Sequence, residues 1–296
     1  MSDPDSNDAV LLERSLESGR IHSAYLLAGP GERSHQAALR FARGTVCRAE
    51  RGRPCETCDA CRRSQPGEET IALDGTGKKG PLYRHIGDHA DLFWIERGPD
   101  DTRVRIGQIR ALQHALRLRG TEGGRRTAVI ADAEWLNQEA QNALLHLLEE
   151  PPPETTLVLV ATSSSGLLAT VRSRCQRVAF RAERENLLDA PENAEIVARF
   201  EAIGAASLPD LLDWAEEYRG PRAATAAQVE ALLETANAFL RRRVGERVAS
   251  GSEGRLHELD ASRILADCRQ SLVQRNANPQ MVAERTLIAV QRGTRG

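Results

Sequence analysis

Four of the six cysteines, Cys47, Cys55, Cys58 and Cys61, stand in a C-x7-C-x2-C-x2-C cluster. Each thiolate supplies a soft, charged ligand. Closely spaced thiols that can converge on one point of an intracellular protein therefore indicate zinc rather than disulfides. Glu56-Thr57 and Asp59-Ala60 between them suit a tight knuckle. The cluster contains no histidine and fills all four positions of a tetrahedral site. It leaves none open for water, so the Zn2+ is expected to be structural. The alternative is four reduced surface thiols or a redox pair. Cys175 and Cys268 lie far away and read as buried small hydrophobes.

A second group lies after the first predicted strand, where Gly29-Pro30-Gly31-Glu32-Arg33-Ser34-His35 occupies the place of a phosphate-binding loop. Such a loop needs G-x-x-x-x-G-K-[ST], with backbone N–H groups for the phosphates, a lysine for the β and γ positions and a hydroxyl for magnesium. Here the second glycine and the lysine are missing, and Glu32 puts negative charge where phosphate would approach. The only lysines of the chain, Lys78 and Lys79, follow Gly77 in a loop with no glycine five positions earlier. Farther on, Asp132-Ala133-Glu134 ends a predicted strand with alanine where a water-activating carboxylate would follow. Asp132 reads as a capping or salt-bridged residue. Both halves of an ATPase are lacking, and no ATP is expected to bind.

The third group is Asn142-Ala143-Leu144-Leu145-His146-Leu147-Leu148-Glu149-Glu150-Pro151-Pro152, followed after one strand by Ser173-Arg174-Cys175. It joins an apolar helix, a proline stop and an exposed arginine. By itself Arg174 reads as a surface arginine in a salt bridge. The layout as a whole suits a residue that acts on a neighbouring subunit.

The elements that must position these groups follow from periodicity. Helical spacing marks 9–19, 34–46, 105–118 and 140–149, and short apolar runs mark strands at 23–28, 92–95, 127–131, 156–161 and 176–180. Apolar runs alternating with helices imply a buried parallel sheet with helices on both faces, an α/β domain to about residue 181. Residues 66–90, rich in glycine and charge, read as a surface excursion without a core pattern. Beyond 181 the strand signal disappears. Two or three short helical stretches lead to Gly220-Pro221, and helical patterns follow at 223–248, 256–273 and 280–290.

The length of 296 residues and 41% hydrophobic content allow two or three domains. No run of about 18 apolar residues exists to span a bilayer. Residues 1–9 are acidic and polar, unlike a signal peptide, so a cytoplasmic location is expected. A net charge of −2 gives no global reason for tight nucleic-acid binding. The near absence of lysine among 40 basic residues reads as codon bias of a GC-rich genome.

His22-Ser23-Ala24-Tyr25-Leu26-Leu27, the cysteine knuckle, Ile106-Gly107-Gln108-Ile109-Arg110, the leucine-rich helix with its prolines, Leu167 to Cys175 and Asn276-Ala277-Asn278-Pro279-Gln280 occur in one order. In that order they resemble the delta-prime subunits of the bacterial DNA polymerase III clamp loader. The resemblance covers nearly the whole chain. Some of these motifs are shared with the gamma/tau ATPase subunit, which the missing lysine excludes. His89-Ala90-Asp91 stands where the family often has His-Pro-Asp, and against that family's pattern residues 67–86 look inserted.

The resemblance implies an AAA+ fold: a nucleotide-binding-like α/β domain over 1–181 with the zinc knuckle at 47–61, a helical lid domain over 182–220 and a helical collar (oligomerisation) domain over 221–296. It also implies a non-hydrolysing stator in a hetero-pentameric ring with gamma/tau and delta subunits, which loads the sliding clamp onto primed DNA within the DNA polymerase III holoenzyme. In that setting Arg174, flanked by Ser173 and Cys175, is an arginine finger acting in trans on ATP held by a neighbour. Two other readings are a divergent active AAA+ ATPase and a zinc-knuckle DNA-binding protein. Nucleotide titration and salt-sensitive DNA affinity of the isolated chain would distinguish them.

Overall fold

The computed structural model describes residues 9–295 apart from 30–31, 70, 100, 123, 181–185, 252–256, 274 and 276. Among the sequence expectations, the acidic residues 1–8, Pro30 and Gly31 of the loop, Leu256 and Asn276 lie outside the described residues. The chain divides into two compact units, Met1–Ala182 and Glu183–Gly296.

The first unit runs α1 (Val10–Ser18), β1 (Ala24–Ala28), α2 (Arg33–Val46), α3 (Asp59–Arg63), β2 (Arg84–Ile86), β3 (His89–Ile95), α4 (Ile106–Arg117), β4 (Arg126–Ile130), α5 (Gln138–Glu149), β5 (Thr155–Ala161), α6 (Ala169–Arg172) and β6 (Gln176–Ala179). Its strands form one sheet in the order β2-β3-β4-β5-β1-β6. Strands β4 and β5 are buried along their whole length, which is why they read as apolar runs. Tyr25, Leu27, Val129, Val158 and Val160 form one core with Leu12 and Leu16 of α1 and Phe41 of α2. The strand residues that alternate with these, Leu26, Ala128, Ile130, Leu157 and Leu159, are as deeply buried, so the opposite face is covered too.

The sheet is not wholly parallel. Strand β2 pairs antiparallel with β3, with a register shift between His85 and Ile86. It therefore corrects the reading of 66–90 as a surface excursion: Ile86 and Leu73 are both buried. A three-residue Arg-His-Ile strand is too short and too charged to carry an alternation signal. What holds it are cross-strand contacts. Tyr83 and His85 lie against Phe93 at ring distances of 5.4 and 5.1 Å, and Arg84 pairs with Glu96 at 2.9 Å.

Helix ends are satisfied by specific side chains. Arg126, buried in β4, donates to the carbonyls of Leu116 (2.6 Å) and Leu118 at the end of α4. It also donates to the Thr155 hydroxyl at 3.2 Å. A cation thus meets the negative end of α4 and its orphan carbonyls together.

The second unit is helical throughout: α7 (Asn186–Asp189), α8 (Ala194–Ala202), α9 (Leu208–Glu216), α10 (Arg222–Ala249), α11 (His257–Val273) and α12 (Pro279–Arg295). Helices α10, α11 and α12 pack on one another, with α8 on α10 and α9 on α12. Phe200 of α8 stacks on Trp214 of α9 and Phe239 of α10 at 5.4 and 5.5 Å. Gln291 of α12 donates to the carbonyls of Ile203 and Ala206 at 3.1 and 2.7 Å. The stretch expected as a lid and the expected collar helices thus share one core, and Pro221 caps the start of α10 between them. No helix among the described residues is long and apolar enough to cross a membrane.

Gly29 sits where β1 leaves the sheet between β5 and β6. A Cβ there would lie 2.3 Å from the Phe180 carbonyl oxygen. Gly29→Ala is therefore expected to push the end of β6 away and destabilise the first unit by roughly 1–3 kcal/mol, read from chemical denaturation.

Candidate functional site

The four cysteines converge: their sulfurs all lie within 4.8 Å of one another. A tetrahedral ion with Zn–S bonds of roughly 2.3 Å requires sulfurs about 3.8 Å apart, and Cys55 and Cys61 are already at 3.9 Å. The backbone around them is turned for thiolates. The Cys47 sulfur accepts N–H bonds from Ala49 (3.5 Å) and Cys55 (3.4 Å), and the Cys55 sulfur accepts one from Cys58 at 3.4 Å. The Thr57 hydroxyl also donates to Cys55 at 3.4 Å. This hydrogen bond, with the nearby backbone N–H groups, lowers the Cys55 thiol to about 5.

Cys47 and Cys61 are buried, which removes the reading of four surface thiols. A four-sulfur donor set with these N–H bonds fits a closed metal site. The knuckle is fastened at both ends. Arg43 of α2 donates to the Cys61 carbonyl at 3.2 Å and pairs with Glu56. Arg63 of α3 and Asp88 exchange bonds of 2.8 and 2.7 Å, which tie the knuckle to the β2–β3 hairpin.

At the degenerate loop, the side chains that would face a nucleotide bond to their own chain. His35 occupies the position of the missing lysine, and its Nε2 lies 3.0 Å from the Ala131 carbonyl oxygen at the end of β4. Ser34, in place of the second glycine, is buried and its hydroxyl donates to the Gly29 carbonyl at 3.5 Å. Glu32 is exposed at the N-cap of α2 without a capping side-chain bond, and Arg33 begins that helix. Asp132 accepts the Arg97 backbone N–H at 2.9 Å and lies 3.6 Å from the Arg97 guanidinium. It is thus the salt-bridged strand-ending residue expected from its context. The Arg97 cation sits over the Trp135 ring at 4.1 Å. Glu134 is buried, and its carboxylate accepts the Ser163 N–H at 3.1 Å.

Arg174 follows the short helix α6. Its Nη2 pairs with Glu149 Oε1 at 2.7 Å, and its Nη1 donates to the Thr170 carbonyl at 2.9 Å. Its side chain keeps 36% of its exposure. The flanking residues hold the chain in place. The Ser173 hydroxyl donates to the same Thr170 carbonyl at 3.0 Å, and Cys175 points into the core. Burial pushes the Cys175 thiol up to about 12, so it is neutral at ordinary pH.

Sequence reasoning passed over Gln141, one position before the leucine-rich run. It is 2% exposed. Its Nε2 donates to the carbonyls of Leu136 (3.0 Å) and Gly166 (3.3 Å), and its Oε1 accepts the Leu168 N–H at 2.7 Å. A polar residue on the stripe Ala140, Gln141, Leu144, Leu148 was the available signal. His35 and Glu149 were visible only as types without partners.

Protein prepared without chelator is expected to carry about one metal ion per chain by elemental analysis. Cys58→Ser is expected to release it and lower the thermal midpoint; a metal-free native protein with an unchanged midpoint would refute the site.

A family model described as DNA polymerase III, delta subunit matches residues 6–71 and 83–184. The unmatched residues between these blocks fall inside the stretch that looks inserted. DNA polymerase III subunit delta' of Bacillus subtilis is 32% identical over 171 residues, 57% of this chain and 45% of that protein. Subunit delta' of Pseudomonas aeruginosa is 32% identical over 154 residues, 51% of this chain and 41% of its own. The chain thus aligns with less than half the length of these curated relatives. A crystal structure of a gamma subunit-related protein from Thermotoga maritima covers 97% of this chain and 100% of its own, at 15% identity and a TM-score of 0.42. With the cysteine cluster, the altered loop and the Ser-Arg-Cys motif all inside the matched blocks, the chain belongs to the DNA polymerase III delta subunit family, and it is similar there to proteins named subunit delta'.

Proposed function

We propose that this chain is a non-hydrolysing AAA+ subunit of a clamp loader. It takes its place in a hetero-pentameric ring with gamma/tau and delta subunits, which opens a sliding clamp and places it on primed DNA. Residues 1–181 form the nucleotide-binding-like domain, 182–220 the lid and 221–296 the collar that joins the ring. The metal at Cys47, Cys55, Cys58 and Cys61 is zinc, the ion that suits four thiolates in a closed tetrahedral site. It holds the knuckle together and takes no part in chemistry.

One contrast carries this reading. His35, Asp132 and Glu134 are bonded within the chain where a nucleotide would need them, whereas Arg174, held by Glu149 and Thr170, still lies half-exposed on the surface with N–H groups beyond those two contacts. Arg174 acts in trans: its planar cation meets the phosphate oxygens of ATP bound by the adjacent subunit and stabilises the charge that spreads over them during phosphoryl transfer. Arginine fingers contribute roughly 10³ to 10⁵ in rate where hydrolysis depends on them. Ser173 and Cys175 fix the backbone on either side.

The isolated chain is expected to bind no ATP in a calorimetric titration; micromolar affinity would favour the divergent-ATPase reading. Arg174→Ala removes a cation without emptying the core, so the variant should fold and assemble. The assembled complex should then lose clamp- and DNA-stimulated ATP hydrolysis by about tenfold or more. Arg174→Lys keeps the charge but loses the fork, so it should restore only part of the rate. A ring with the alanine variant that hydrolyses ATP at the unmodified rate would sink the proposal.

A further inference from the structure

We infer that Glu149 is the positioning residue for Arg174, an inference that rests on the reading of Arg174 as a group acting across a subunit boundary. The arginine's four side-chain torsions would otherwise let its head sweep a wide volume. Two contacts on its own chain remove that freedom: Glu149 Oε1 at 2.7 Å on Nη2 and the Thr170 carbonyl at 2.9 Å on Nη1. A guanidinium has five N–H donors in a rigid plane. Two are taken by these contacts, and three remain for an oxygen-rich group presented from outside.

The place of Glu149 is informative. It is the last residue of α5 and is followed by Glu150 and the proline stop. The negative end of a helix disfavours carboxylates, yet two stand in succession here. Exposure also argues against a stabilising role, because the pair keeps 36% and 49% of its side-chain exposure. Ion pairs so open to solvent contribute little to folding. A carboxylate held against local preference, with little return in stability, fits a residue that aims its partner. Helix α5 therefore fixes the arginine twice. Gln141 clasps the turn ahead of α6, and Glu149 holds the guanidinium beyond it.

The test uses the reconstituted complex with Glu149→Ala, Glu149→Gln, Arg174→Ala and the Glu149→Ala/Arg174→Ala pair. Glu149→Ala is expected to lower kcat for stimulated ATP hydrolysis by roughly threefold, less than the loss expected for Arg174→Ala, with KM for ATP little changed. Glu149→Gln, which keeps the acceptor oxygen, should fall between the unmodified complex and Glu149→Ala. The thermal midpoint and ring assembly should stay as they were, and the double variant should be no slower than Arg174→Ala alone. Three results would overturn the inference while leaving the finger intact: Glu149→Ala at the unmodified rate, Glu149→Ala faster than the unmodified complex, or a further full loss in the double variant. If Arg174→Ala itself has no effect, the reading beneath the inference fails and the inference fails with it.

Discussion

The placement of Arg174 depends on one buried amide. Gln141 links three pieces of backbone, the turn before α5, the turn at Gly166 and the start of α6. An apolar side chain there would remove all three bonds from a dry interior, at about 1–3 kcal/mol for each group left without a partner. The short helix that leads into Ser173, Arg174 and Cys175 is only four residues long and could not hold its own direction. It borrows direction from α5. Cys175 then anchors the far end by turning inward, and the chain between is left no choice but to present Arg174 outward.

The altered loop follows the same economy. A strand, a turn and a helix ordinarily converge to leave backbone N–H groups and a cation free for phosphate. Here an imidazole reaches from α2 to the end of β4, and an arginine covers the aspartate that follows. These contacts use side chains at the loop for bonds within the chain. The groups that would otherwise face a phosphate are in part engaged by the chain itself.

Much of this was legible in the residues. Thiol spacing alone brought four sulfurs together, since a C-x2-C-x2-C run can curl around a single point, and the apolar runs located β1 and β3 through β6. Strand β2 escaped because its three residues gain their place from Tyr83, Phe93 and Trp94 rather than from an alternating pattern. The partner of His35 is 96 positions away in sequence, beyond the reach of any local pattern. Gln141 and Glu149 read as ordinary polar residues of an amphipathic helix. Their roles arise only when the loop after β5 folds back over α5.

Strand β2 also has a colloidal consequence. Strand β3 runs for seven residues, almost all buried, and without a neighbour it would expose a ladder of unpaired amides beside an apolar surface. Such an edge is a template for pairing with another copy of the same chain. A three-residue strand carrying Arg84 and His85, broken by a register shift, closes that template and offers a poor one in its place. At the other end, β6 is only four residues long and places Arg177 outward. The sheet is thus blunted at both margins by brevity and charge, and neither edge offers another strand a long flat ladder to pair with.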